Sequence, residues 1–306
     1  MILCVCANPS IDCYAWLEDF KPGGVNRIDR LKQFPGGKAT HIALALNAMS
    51  IESELLAIWG GTTGQWIKKT CEEKGIATSG IDLDENSRKC YTFRSKNPKI
   101  KNTEILEPGP HCTDENWTDF LKILKSRASR AELVCISGSL PAGCPDDGYR
   151  QMIDVCSSIG IRTIIDCSGV QLKNALKTTF YGLHINQDET QQLGEDVMAV
   201  AKRLQETIQL IALTNGKKGL SLFYGKDAVH ANVKIENIKS TVGAGDCLTA
   251  GIAFGVSQNK TIEDIARLGA ACGAANCLNE DLGLLNRKDV EGLLKKVKTK
   301  TLYSAA

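Results

Sequence analysis

The sequence has almost no surplus of charge of either sign, with 37 Lys and Arg against 35 Asp and Glu. A bulk electrostatic attraction to nucleic acid or to a membrane surface is therefore not expected, and any basic site must be local. Long apolar runs are missing as well: none approaches the ~18 residues that a membrane-spanning helix needs. The four histidines are scattered, and neither CxxC nor HExxH occurs, so the usual spacings of a zinc site are absent. No GxxxxGK[ST] is present, and after Gly243 and Gly245 position 248 is Leu, which breaks GxGxxG. A P-loop and a dinucleotide fingerprint are thereby excluded. The start shows no basic stretch followed by an apolar segment and a cleavage site, so a chain kept in the reducing cytoplasm is expected.

What is present is ordinary for a globular protein: 43% hydrophobic and 24% charged residues over 306 positions. That length allows two domains or one enlarged α/β unit spanning 1–306, and the single unit is the expectation here. Thirteen cysteines fall inside apolar runs, such as Cys4 and Cys6 in MILCVCA, Cys135 in LVCIS and Cys167 in IIDCSG. A free thiol in such surroundings serves as a small buried hydrophobe.

Short β-branched runs at 1–7, 54–60, 132–138, 162–168, 181–186 and 208–214 predict buried strands. Helical spacing lies between them. Ile42, Ala43 and Leu46 share a face after Gly36-Gly37, and Trp117, Phe120, Leu121 and Leu124 form a stripe behind a Thr113 cap. Strand alternating with helix predicts a mostly parallel sheet covered on both faces, whose ligands gather at the carboxyl ends of the strands. Two stretches, 12–34 and 88–107, interrupt the alternation and read as a small separate sheet. A hairpin is expected over 219–235, and helices over 262–278 and 286–298.

STVGAGDCLTAG, at 240–251, places two glycines around an alanine and follows them with one acid and a run of helix formers. Such a turn can aim backbone N–H groups and a helix dipole at one point, making an anion hole beside a carboxylate. A transferring phosphoryl group would be held there, and Asp246 could take a proton from an attacking hydroxyl. The competing reading is that Asp246 only caps the helix.

VGAGD before a helix, together with PGGK at 35–38, resembles the ribokinase/PfkB superfamily of carbohydrate kinases. MILCVCANPSID, GGVNR at 23–27, ISGSLPAG at 136–143 and IDCSG at 165–169 are similar to the branch holding tagatose-6-phosphate kinase and 1-phosphofructokinase. The resemblance implies a three-layer α/β/α ribokinase-like fold, with 12–34 and 88–107 as a β-sheet lid. It also implies an ATP- and Mg²⁺-dependent kinase acting on a primary hydroxyl of a ketohexose phosphate, tagatose 6-phosphate first and fructose 1-phosphate or fructose 6-phosphate next. Two rivals stand beside it: a kinase of a free sugar or nucleoside, and a sugar- or nucleotide-binding protein without turnover.

By the same resemblance Asp246 is the catalytic base and Gly243, Ala244 and Gly245 form the anion hole. Asp12 is to hold sugar hydroxyls, with Gly36 and Gly37 letting backbone approach the ring, and Ser137 is a further substrate contact. Arg27, Lys38 and Arg88 are to converge on the sugar's phosphate. Taken alone, Asp12 is equally a turn residue, and Arg27 and Arg88 read as surface charges. Asn186 and Glu189 match an element that orders the water around Mg²⁺, although the pair also reads as a capping box. Thr214, Gly216 and Gly219 match a loop over the nucleotide, and Asn276 is to approach the adenine. Several superfamily members bind a monovalent cation, but no side-chain pattern here assigns one. The lid leaves apolar residues such as Tyr91 and Phe93 to cover, which suggests a homodimer.

The chain departs from the family at two places. Ala39, Thr40 and His41 stand where glycine, a hydrophobe and asparagine are usual, and His184-Ile185 replaces Lys-Pro. His41 is expected either to bind sugar in its own way or to serve the core or a cap.

Overall fold

The computed structural model describes residues 1–95, 97, 100, 103–191, 197–281 and 284–304. Ile2–Cys6 (β1) shows why the strands read as unbroken apolar runs. Ile2, Cys4 and Cys6 enter one core while Leu3 and Val5 enter another, because successive side chains leave opposite faces of a strand that is covered on both sides. The pattern is ILCVC, buried throughout.

The remaining elements, in chain order, are β2 (Ser10–Trp16), β3 (Arg30–Gly36), α1 (Lys38–Ala48), β4 (Ser53–Gly60), α2 (Gly61–Glu73), β5 (Ala77–Leu83), β6 (Arg88–Arg94) and β7 (Thr103–Leu106). Then come α3 (Asp114–Ala128), β8 (Leu133–Ser137), α4 (Gly148–Ser157), β9 (Thr163–Asp166), α5 (Gly169–Ala175), β10 (Gly182–Asn186), α6 (Gln187–Gln191) and α7 (Val197–Leu204). The chain closes with β11 (Leu210–Thr214), β12 (Leu220–Tyr224), β13 (Asp227–Asn232), α8 (Ala244–Ser257), α9 (Ile262–Cys277), α10 (Arg287–Leu294) and β14 (Lys298–Tyr303).

The large sheet runs β14-β13-β12-β11-β10-β9-β8-β1-β4-β5. It is parallel from β11 to β5, and the last three strands at the β14 end pair antiparallel. One face packs α1, α2, α8, α9 and α10 through residues such as Ile42, Ile67, Ile252 and Ile265. The other packs α3, α4, α5 and α7 through Phe120, Met152, Leu172 and Val200. The three-layer α/β/α arrangement follows, with a mostly parallel centre as expected. All thirteen cysteines are free, and all but Cys90 and Cys144 are buried. Among the described residues, no helix is long and apolar enough to cross a membrane.

A second sheet of four strands, β3-β2-β6-β7, stands apart. It is formed by the two stretches that interrupt the alternation. Residues 96, 98, 99, 101 and 102, inside the expected lid segment, lie outside the described residues. The Thr113 cap is real: its side chain accepts from Asn116, which returns the bond. Two expectations fail at the sheet's edges. The helix expected over 286–298 stops at Leu294, and the chain turns into β14. β5, reading ATSGIDL, was not anticipated. The parallel strands deliver Asn8, Gly138, Asp166, Asn186 and Thr214 to one edge of the sheet, beside the start of α8.

Candidate active site

Gly243 caps α8 at φ 81°, a left-handed conformation that favours glycine. Asp246 is therefore the third residue of the helix and does not cap it. Its Oδ2 lies 2.8 Å from His41 Nδ1, while among the described residues Oδ1 has no hydrogen-bond partner. The side chain keeps 9% of its surface open. The amides of Gly243, Gly245 and Asp246 likewise find no acceptor among the described residues, as the first turn of a helix requires unless something is bound there. Of the expected members, the Ala244 amide donates to the Thr241 carbonyl at 3.2 Å. The turn thus offers three amides and one acid at a single spot, with the dipole of α8 behind them.

His41, in the first turn of α1, is 4% exposed and stands between two acids. Beside its bond to Asp246, its Nε2 lies 3.1 Å from Asp12 Oδ2. That is an ion-pair distance without hydrogen-bond alignment, since Nε2 has no aligned acceptor. Burial alone would push the ring's pKa down, but the bonds and charges of Asp12 and Asp246 push it up to about 10. Asp12 also accepts from Ser10 Oγ at 2.6 Å. Burial would raise its carboxyl, yet His41, Ser10 and Arg88 bring it below the usual aspartate value. Gly36 is glycine because a Cβ there would lie 2.1 Å from Asp12 Cγ. His41 thus stands between the two acids that the sequence singled out.

A second cluster was not foreseen as a site. Asp166, at the end of β9 and 3% exposed, accepts from Lys38 Nζ at 2.7 Å and lies 2.9 Å from His184 Nδ1. Burial opposes its charge, but Lys38 and His184 hold its carboxyl far below the ordinary value. Lys38 is in turn held above the ordinary lysine value, against burial, by Asp166 first and by Asp246 and Glu189 further off. His184 also reaches Thr249 Oγ1 at 3.0 Å and Thr214 Oγ1 at 3.2 Å. Histidine here ties β9, β11 and α8 together. The signal was an acid at a strand end inside IDCSG; a lone strand-end acid among many is weak until its partners are known.

Arg27, Lys38 and Arg88, expected to converge on the sugar's phosphate, have these surroundings. Lys38 is bonded to Asp166, Arg88 Nε donates to the Asn8 carbonyl at 3.3 Å near Asp12, and Arg27 lies on an exposed segment. Ser137 is 2% exposed with its hydroxyl unpartnered. Asn186 and Glu189 form a reciprocal cap, each backbone N–H donating to the other's side chain at 2.9 Å. Thr214 faces His184, and around Gly216 there is open space where a side chain would stand, whereas at Gly219 a Cβ would meet Ala231 O at 2.5 Å. Asn276 is 1% exposed and donates to Leu284 O at 3.2 Å. Its Oδ1 is buried without a hydrogen-bond partner among the described residues.

Among the described residues, no group of three or more His, Cys, Asp or Glu is gathered closely enough to hold a metal ion. Asp166, Asp246 and Glu189 nevertheless all act on one ammonium. Of these, Asp166 and Glu189 offer oxygen donors of the kind a hard cation takes through its water.

Residues 2–288 match the pfkB family of carbohydrate kinases. The chain is 30% identical over 313 residues to the 1-phosphofructokinase of Bacillus subtilis (strain 168), covering 99% of this chain and all of that one. The fold also matches two crystal structures of phosphofructokinase-2 from Escherichia coli. The complex with fructose-6-phosphate has a TM-score of 0.88 at 20% identity, and the complex with potassium 0.87 at 22%. Each covers 96% of this chain and 98% of the other.

Proposed function

The chain belongs to the pfkB family of carbohydrate kinases, an ATP-dependent class, and from that premise we propose that it phosphorylates a primary hydroxyl of a ketohexose phosphate. Fructose 1-phosphate is the acceptor this reading now puts first, on the 30% identity to a 1-phosphofructokinase. Tagatose 6-phosphate and fructose 6-phosphate follow.

The observation that carries the reading is the start of α8: three amides without acceptors among the described residues, next to a carboxylate oxygen that also has no partner among them. Negative charge on the transferring phosphoryl group is steadied by fixed dipoles that need no reorganisation. Oδ1 of Asp246 takes the proton of the sugar hydroxyl, and placement supplies most of the effect. Asp12 and the orphan hydroxyl of Ser137 hold the sugar. Arg88 faces the sugar's phosphate, with Arg27 on the segment that approaches it. Lys38 is placed on the nucleotide side, because it is bonded to Asp166 and lies in the field of Asp246 and Glu189. A magnesium ion, which would neutralise phosphate charge, would be held there through its water by Glu189 and Asp166. The 214–219 loop is assigned to the nucleotide.

The second sheet is proposed as a lid that shuts water out of the site. It is fastened to the loop before α8 by the Tyr14–Ser240 hydroxyl pair at 3.0 Å. Its apolar edge is proposed to pair with a second copy. Thirteen free thiols suit a reducing cytoplasm.

An ADP-release assay tests the reading across fructose 1-phosphate, tagatose 6-phosphate, fructose 6-phosphate, the free ketoses and nucleosides. Saturable turnover is expected on a ketohexose phosphate. Turnover confined to free sugars or nucleosides would move the assignment to the first rival, and none at all would favour a binding protein.

A further inference from the structure

Resting on the reading above, we propose that His41 is a positioning residue of the transfer step. As an imidazolium clamped between Asp12 and Asp246, it keeps both carboxylates ionised in one desolvated pocket and turns Oδ1 of Asp246 toward the acceptor hydroxyl.

The geometry favours a ring protonated at both nitrogens, with Nδ1 in hydrogen-bond alignment and Nε2 at ion-pair distance. Nδ1 faces Asp246 Oδ2 at 2.8 Å and Nε2 faces Asp12 Oδ2 at 3.1 Å. Neutral imidazole has one donor and one acceptor, so one lone pair would point at a carboxylate; the doubly protonated ring has no such conflict. Two acids separated by a single ring in a site this buried would otherwise press one of the pair to take up a proton. A protonated Asp246 could accept nothing from a hydroxyl. An asparagine at this position would offer a donor but no charge.

The other charged groups near the ring are Lys38 from α1 and Arg88 from β6. Both are engaged elsewhere, Lys38 on Asp166 and Arg88 on the Asn8 carbonyl. The imidazolium is thus the cation that contacts both acids. At the transfer step the hydroxyl proton passes to Oδ1 of Asp246 as the new oxygen–phosphorus bond forms and ADP leaves. His41 keeps both of its own protons throughout. The ring's pKa of about 10 supports this through the neutral and mildly alkaline range.

Two measurements test the proposal separately from the identity of the acceptor. Two-bond ¹H–¹⁵N spectra of the free, histidine-labelled protein resolve four side chains. One signal, absent from His41→Asn, should remain doubly protonated at pH 8.5. A His41 that titrates near 6.5 would overturn the clamp, whatever the enzyme phosphorylates. In the kinase assay, His41→Asn and His41→Gln should lower kcat by about ten- to a hundredfold, the usual worth of a hydrogen bond to a charged group. Both should also lose the alkaline limb that is expected near pH 10 in the wild type. If either variant is folded by circular dichroism and keeps the wild-type kcat and pH profile, His41 positions nothing.

Discussion

At the scale of single residues, three buried charges set how the protein responds to pH. The carboxyls of Asp12 and Asp166 lie below their ordinary values, so their contribution to stability is present above about pH 4 and is lost as the pH falls. His41 is shifted the other way, up to about 10. Its contribution is complete below about pH 6.5 and fades as the pH rises from there toward 10. Thermal stability should therefore peak between about pH 4 and 6.5, as differential scanning calorimetry across pH would show. A melting temperature still climbing from pH 7 to 9 would contradict that balance. Asp166→Asn should lower the melting temperature at pH 7. The loss belongs at the low end of the about 3–5 kcal/mol expected for a broken buried pair, because Lys38 is 42% exposed and partly screened.

At the scale of elements, the close contact between β2 and β3 fixes where Asp12 points. A methyl group at Gly36 would overlap its carboxylate, so Gly36→Ala should displace Asp12 and cut kcat/KM by about a hundredfold, the order expected for a misplacement of about 1 Å. A kcat/KM within twofold of wild type would show that Asp12 holds no substrate. The buried strands were legible from sequence because a strand covered on both faces must be apolar at every position. β5 and β14 were not, since edge strands are held through their backbones and KTKTLY keeps its charges in water. The start of α8 was legible as a glycine turn with an acid, but whether Asp246 capped the helix depended on where its side chain found a partner. That partner, His41, is 205 positions away in the sequence. Lys38 shows the same limit: its motif was recognised, but only the fold brings Asp166 to it.

At the scale of the whole molecule, the second sheet ends in edge strands that carry apolar residues into solvent. Leu106 is 57% exposed and Ile105 50% on β7, and Leu31 is 47% exposed on β3, apolar surface of the kind that marks an interaction site. Sedimentation velocity should give a dimer for the wild type and a monomer for Leu106→Lys, and a monomeric wild type would sink that assignment. The three layers, the second sheet and the strand-end clusters all bear on one spot, where the helix start of α8 meets Asp246. The most direct test is phosphoryl transfer to fructose 1-phosphate by Asp246→Asn, with acceptor binding followed by calorimetry. The expected result is a kcat lower by about 10²- to 10⁴-fold with binding retained. A variant that turns over at the wild-type rate would contradict it.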